Sequence, residues 1–136
     1  MSRCRVWTFL FRLSLCLFSV ASPHALGSVP REDEWRDVPS SLESPHPYPN
    51  RANLLFEASV PGARWMRVVF SKIETEFFYD KITIENPGGH VFDSFTGFPK
   101  NLVSLPVPGE VLMIRLRSDR TTRGYGFSVA KLQYSL

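Results

Sequence analysis

The sequence predicts an all-β domain, an antiparallel sandwich or barrel. Three observations carry this. Apolar residues alternate with period two in several short runs, Pro/Gly turns separate those runs, and no window sustains a helical period. The first run is ANLLFEASV, from Ala52 to Val60, closed by a turn at Pro61–Ala63. RWMRVVF follows, with Met66, Val68 and Phe70 on one face and Trp65, Arg67 and Val69 on the other. YDKITIE places Ile82 and Ile84 inward and Lys81, Thr83 and Glu85 outward. The composition of Asn86–Gly89 is that of a turn, and HVFDSF after it returns as a hairpin strand. VPGE at Val107–Glu110 is a further turn, after which VLMIRLR points Leu112, Ile114 and Leu116 inward. The last run, GYGFSVAKLQY, changes apolar phase near Ala130–Lys131, which predicts a β-bulge.

The chain begins differently. Residues 1–27 hold Arg3, Arg5 and Arg12, no acid, the apolar run LSLCLFSVA and small residues at Ala25 and Gly27. Basic end, apolar middle and small-residue exit are the order of a secretory signal peptide cleaved before Ser28. The apolar run is too short to span a bilayer comfortably, so no stable membrane insertion is expected after cleavage. Removing three arginines from sixteen Lys+Arg leaves thirteen, against thirteen Asp+Glu, so the remaining chain is formally neutral. Its basicity belongs to the leader and gives no support to nucleic-acid binding. Both cysteines, Cys4 and Cys16, also lie in the leader, which excludes disulfides, thiol nucleophiles and thiolate metal sites from the rest. The expected location is secreted or periplasmic/extracellular, and export without disulfides fits a bacterial exported protein better than a small animal extracellular domain. Residues 28–42, charged and punctuated by Pro30 and Pro39, read as a linker or arm, and the domain proper as 43–136.

The runs ESPHPYPN (Glu43–Asn50), PGARWMRVVFSKIETE, YDKITI and IRLRSDRTTRGYGFSVAKLQY together resemble a CUB domain, of the cysteine-free kind. The resemblance covers about Glu43 to Tyr134. It implies a jelly-roll-like β-sandwich of two antiparallel sheets, and it implies a non-catalytic binding module for a protein or carbohydrate ligand. It also implies a calcium site. The family's three acids match Glu76, at the end of Phe70–Glu76; Asp80, of the Tyr79-Asp80 pair; and Asp119, of the Ser118-Asp119 pair. The backbone carbonyl near Thr121 falls where the family donates a further ligand. Calcium takes six to eight oxygens, which loops can supply without ideal geometry. The connection from Glu76 to Asp80 is shorter than in disulfide-containing relatives, which leaves open that Glu74 replaces Glu76. The alternative for the acids is loop capping by Asp80 and pairing of Asp119 with Arg120 or Arg123.

Hydrolytic chemistry has little to work with. His46 sits between two prolines, His90 follows Gly88-Gly89, and there is no zinc-type His spacing or Gly-x-Ser-x-Gly elbow. Phe77, Phe78 and Tyr79, beside the acids, and Trp65, on the outward face, are the candidate ligand-contacting aromatics. For Phe77 and Phe78, packing over the end of the sandwich is the alternative. Arg64, Arg67, Arg115, Arg117, Arg120 and Arg123 read mainly as solvated or internally paired, and otherwise as a basic surface. A second functional class also stands: a structural or assembly subunit of an envelope or extracellular complex, with an exposed sheet face at Trp65 and Val69 as its interface.

Overall fold

The computed structural model describes residues 27–136, so the expected leader up to residue 26 lies outside the described residues. Eight strands form among the described residues: β1 Arg36–Pro39, β2 Asn53–Ser59, β3 Trp65–Glu74, β4 Lys81–Glu85, β5 Val91–Phe95, β6 Val107–Pro108, β7 Val111–Arg117 and β8 Gly126–Ser135. They make two four-stranded sheets, ordered β1-β8-β3-β6 and β2-β7-β4-β5, with every named pairing antiparallel. Among the described residues no helix is long and apolar enough to cross a membrane.

The alternation read from the sequence sets the two inner faces. Met66, Val68 and Phe70 from β3 are buried, as are Ile82 and Ile84 from β4 and Leu112, Ile114 and Leu116 from β7. Phe127 of β8 is the hub between the layers. Its ring meets Phe56 edge-on at 5.2 Å and Phe70 at 5.7 Å, and Phe70 in turn meets Phe95 at 5.4 Å. Edge-on contacts of this kind suit aromatic quadrupoles and interdigitate the two inner faces.

The predicted bulge is present. Val69 pairs with Lys131 but Phe70 pairs with Val129, which leaves Ala130 exposed and unpaired in the ladder. The extra residue restores the inward phase, so that Phe127, Val129 and Leu132 are all buried on one strand.

Two short strands were not legible as strands. Part of the stretch 28–42, read as an arm, is β1, whose Arg36–Pro39 pairs with Lys131–Tyr134 of β8. Its charges find partners: Asp37 accepts from Lys131 and Gln133 at 2.7 and 2.8 Å. Upstream, Glu32 makes a two-pronged pair with Arg67 at 2.8 and 2.9 Å, and the Arg67 guanidinium lies 4.3 Å from the Trp35 ring centroid. This segment is thus laid across the face that holds Arg67. Trp65 and Val69 are partly exposed, and the segment covers part of the sheet face on which an assembly role would rely. Val107–Pro108, read as turn, pairs with Trp65 and Met66 as β6 before Gly109 leads into β7 of the other sheet.

Because Phe127 joins both sheets, Phe127→Ala should cost about 3–5 kcal/mol. Urea unfolding would show this as a lower midpoint with unchanged slope. A loss below about 1 kcal/mol would mean that the two sheets are held by something other than this contact.

Candidate metal centre

At the end where β3 stops, the chain makes one tight excursion, Glu76–Tyr79, before β4 begins. Thr75 anchors its entry: its N–H donates to the Gly97 carbonyl at 3.0 Å, and its hydroxyl accepts from the Gly97 N–H at 2.8 Å. Gly97 has φ of +71°, a conformation an L side chain rarely adopts. The Asp80 N–H closes the excursion on the Glu76 carbonyl at 3.1 Å. Thr96 braces it from the side, accepting from the Phe78 N–H at 2.8 Å and donating to the Asp80 carbonyl at 2.9 Å.

Asp80 is fully buried. Its Oδ2 accepts from the Tyr48 hydroxyl at 2.5 Å, and its Oδ1 accepts from the Asp119 N–H at 2.9 Å. The Tyr48 oxygen itself accepts from the Glu76 N–H at 3.2 Å. One buried phenol therefore ties Asp80 to Glu76, while a backbone donor ties Asp80 to Asp119. Burial, and then the bond to the Asp80 carboxylate, push the Tyr48 phenol up to about 12, so it remains a donor at neutral pH.

Asp119 follows the end of β7. Ser118 fixes that junction by accepting from the Ala52 N–H at 2.8 Å and donating to the Pro49 carbonyl at 2.6 Å. The Arg51 N–H donates to the Asp119 carbonyl, and the Asp119 carboxylate accepts from the Thr121 N–H at 3.0 Å. Thr121 thus touches the cluster through its N–H. Close by, Gly124 passes the end of β3 where a Cβ would lie 2.7 Å from the Glu74 carbonyl oxygen, so no larger residue fits without moving backbone.

Carboxylate oxygens of Glu76, Asp80 and Asp119 lie within 4.8 Å of one another. Glu76 Oε2 is buried and has no hydrogen-bond partner. Burial, followed by the nearby Asp119 and Asp80 carboxylates, raises the Glu76 pKa above its ordinary value, with the Thr122 hydroxyl opposing. Glu74, the alternative left open by the sequence, instead lies 3.6 Å from Lys72 and is outside the cluster. An all-oxygen set with an unpartnered buried carboxylate oxygen fits a hard cation such as calcium. Glu76, Asp80 and Asp119 would hold it, and it would supply the positive charge that the cluster lacks.

The other sequence candidates divide. Phe77, Phe78 and Tyr79 are exposed on the excursion itself. Trp65 is at the far end of β3, roughly 30 Å away by strand rise. It lines a groove there with Gly27, Arg36, Arg64 and Ser135. Two residues at the acidic end escaped the sequence reading. Tyr48 lies in a Pro-Tyr-Pro run with no periodicity to mark it as buried. Phe98 is exposed next to Gly97, which itself abuts Phe77.

Among the described residues, neither His46 nor His90 sits in a catalytic arrangement. His90 packs edge-on against Phe92. His46 stacks on Tyr125 at 3.8 Å, with Nδ1 2.7 Å from the Tyr125 carbonyl and Nε2 3.0 Å from Glu43. Two acceptors require two N–H donors, so the clip needs the imidazolium. Accordingly the Tyr125 carbonyl, then Glu43, raise the His46 pKa, while His46 lowers that of Glu43. The raised His46 value means stability that is complete below its ordinary 6.5 and lost as pH climbs through the folded value. The lowered Glu43 value means stability present above its ordinary 4.5 and lost on acidification through the folded value.

Two outcomes follow from these bonds. His46→Gln should lower the melting temperature more at about pH 5.5 than at alkaline pH, because the clip is lost as pH rises through the folded His46 value. An equal loss at both would show a packing role alone. Tyr48→Phe should cost about 1–3 kcal/mol in urea unfolding, because Asp80 and the Glu76 N–H both lose a buried partner.

No protein-family model matches the chain. The human Zinc finger ZZ-type and EF-hand domain-containing protein 1 is 33% identical over 92 residues, which are 64% of this chain and 3% of that protein. The chain therefore spans a very small part of its curated relative. Among solved structures, the human MASP-1/3 CUB1-EGF-CUB2 domain matches with a TM-score of 0.53 and 23% identity, over 75% of this chain and 41% of that one. The extracellular region of zebrafish Gpr126/Adgrg6 matches at 0.56 and 21%, over 76% and 14%. The MASP-1 CUB2 domain bound to Ca2+ matches at 0.50 and 21%, over 75% and 90%. The two antiparallel four-stranded sheets and these structural matches agree: the chain has the CUB-like β-sandwich fold.

Proposed function

We propose that the protein is an exported, non-catalytic binding module in which one calcium ion orders the loops at the acidic end. Those loops present Phe77, Phe78 and Tyr79 to a protein or carbohydrate ligand. The observation that carries this reading is the buried, unpartnered Glu76 Oε2 within a cluster of three carboxylates. A buried acceptor without a donor is costly, and three carboxylates at this distance repel. A bound cation relieves both costs at once. The likeness to a CUB2 domain solved with Ca2+ supports the choice of ion. Export rests on the basic, apolar and small-residue order of residues 1–27.

The ion's contribution would be electrostatic and structural. It would join the Glu76–Asp80 excursion to the Asp119 loop, adding to the Tyr48 link. Coordination positions not filled by the three carboxylates would remain for carbonyls, water or a ligand oxygen. The non-catalytic reading is supported by the environments of His46 and His90, each engaged in packing or in a structural bond.

Calcium at about one hundred times its dissociation constant should stabilise the protein by about 2.7 kcal/mol, a rise in melting temperature on the order of 10 °C. Magnesium at equal concentration should do far less. Asp119→Ala should abolish the calcium-dependent rise while melting within about 2 °C of wild type in chelator, since its remaining bond is to an exposed N–H. Equal loss with and without calcium would contradict the metal reading.

A further inference from the structure

The acidic end carries two surface features that ion binding does not explain. The first is apolar. Phe77, Phe78, Tyr79 and Phe98 are 72%, 68%, 64% and 73% exposed. Phe77 abuts Gly97, next to Phe98, so these rings belong to one tip. Clustered exposed aromatics on a soluble domain mark a contact surface.

The second feature is basic. Arg51, Lys81, Arg117, Arg120 and Arg123 are all exposed; the last four lie within four residues of Asp80 or Asp119, and the Arg51 N–H donates to the Asp119 carbonyl. Among the described residues none makes an ion pair, whereas Arg31, Arg67, Lys72, Arg115 and Lys131 each do. Lys81 and Arg117 are direct cross-strand partners in the β4–β7 register. Like charges directly opposite destabilise a sheet, and nothing local offsets this rung. Two residues back along β7, Arg115 is matched by Glu85 at 2.9 Å. The rung nearest the tip therefore lacks the pairing that its neighbour on β7 has. Five cations against three acids leave this end formally positive, and a bound divalent ion would make it more so.

We infer that the Phe77–Tyr79 and Phe98 tip, flanked by Arg51, Lys81, Arg117, Arg120 and Arg123, docks peripherally on an anionic lipid bilayer. The aromatic rings enter the headgroup boundary and the cations meet lipid phosphates and carboxylates. The juxtaposition selects a bilayer over other anions. An acidic glycan engages the cations and can stack a sugar on a single ring face, which leaves the other exposed rings facing water. The tip is also no flat stacking platform, because Phe78 and Tyr79 meet at 86°. A bilayer interface accommodates rings in any orientation beside charged groups. The inference rests on the reading of this end as the binding end and goes beyond the protein or carbohydrate ligand proposed for it.

The test is co-sedimentation of the protein with vesicles of phosphatidylcholine alone or with phosphatidylserine added, in calcium and in chelator. The expected result is phosphatidylserine-dependent binding that weakens with salt. Arg120→Ala with Arg123→Ala should lower it about 30-fold. Phe78→Asn with Tyr79→Ser should lower it at least tenfold, asparagine being chosen because Phe78 has φ of +75°. Thermal melts of the same variants establish that they fold and whether they respond to calcium. Absence of vesicle binding by the wild type overturns the inference. So does binding that ignores the aromatic substitutions and is matched by a soluble sulfated glycan. Failure on vesicles with retained binding of a protein or neutral glycan at this end would remove the lipid inference and keep the binding-module reading. Vesicle binding without any calcium-dependent melt would do the reverse to the metal reading.

Discussion

Everything at the acidic end depends on how Asp80 is buried. A carboxylate with no exposure to solvent must be hydrogen-bonded on both oxygens or it destabilises the fold. Here one oxygen takes the Tyr48 hydroxyl and the other takes the Asp119 N–H. These two bonds join three stretches that are distant in sequence, near residues 48, 80 and 119. They also dictate where the remaining acids stand. Glu76 is brought in because its own N–H donates to Tyr48, and Asp119 because its backbone is the donor to Asp80. The crowding of three carboxylates therefore follows from the way the buried one is satisfied.

The sandwich exists independently of that arrangement and provides its rigid frame. Phe127 clamps the sheets, and the bulge at Ala130 lets β8 keep an apolar face inward along its whole length. Without the bulge, a one-residue change of phase would turn Leu132 outward. Gly124 then allows the loop before β8 to lie against the end of β3, which is where the Glu76 excursion starts. Core packing, strand register and one close backbone approach together hold the loops within reach of one another.

Much of this was legible in the residue pattern. The inward faces of β3, β4 and β7 and the bulge in β8 are period-two signals, and those survive in any half-buried strand. β1 was not legible, because an edge strand of alternating charges looks like a solvated arm until Asp37 meets Lys131 and Gln133. β6 was hidden within its turn because two residues are too few to show a period. Tyr48 was invisible as a site residue for a different reason: its role comes from contacts with residues far along the chain. The same is true of the choice between Glu76 and Glu74, which the backbone path of the short excursion decides. Trp65 illustrates the limit of face assignment. Alternation placed it outward, but only the fold shows that it stands at the opposite end from Phe77–Tyr79.

The central claim is that burying Asp80 creates a site for one hard divalent cation. Calorimetric titration of the protein with calcium tests it most directly, because it counts ions and needs no ligand. The account predicts one site per chain, absent in Asp80→Asn and in Glu76→Gln, and filled only weakly by magnesium. No saturable heat, or saturation that survives both substitutions, would contradict it and leave the three carboxylates as an uncompensated cluster held together by the Tyr48 hydroxyl and the Asp119 N–H.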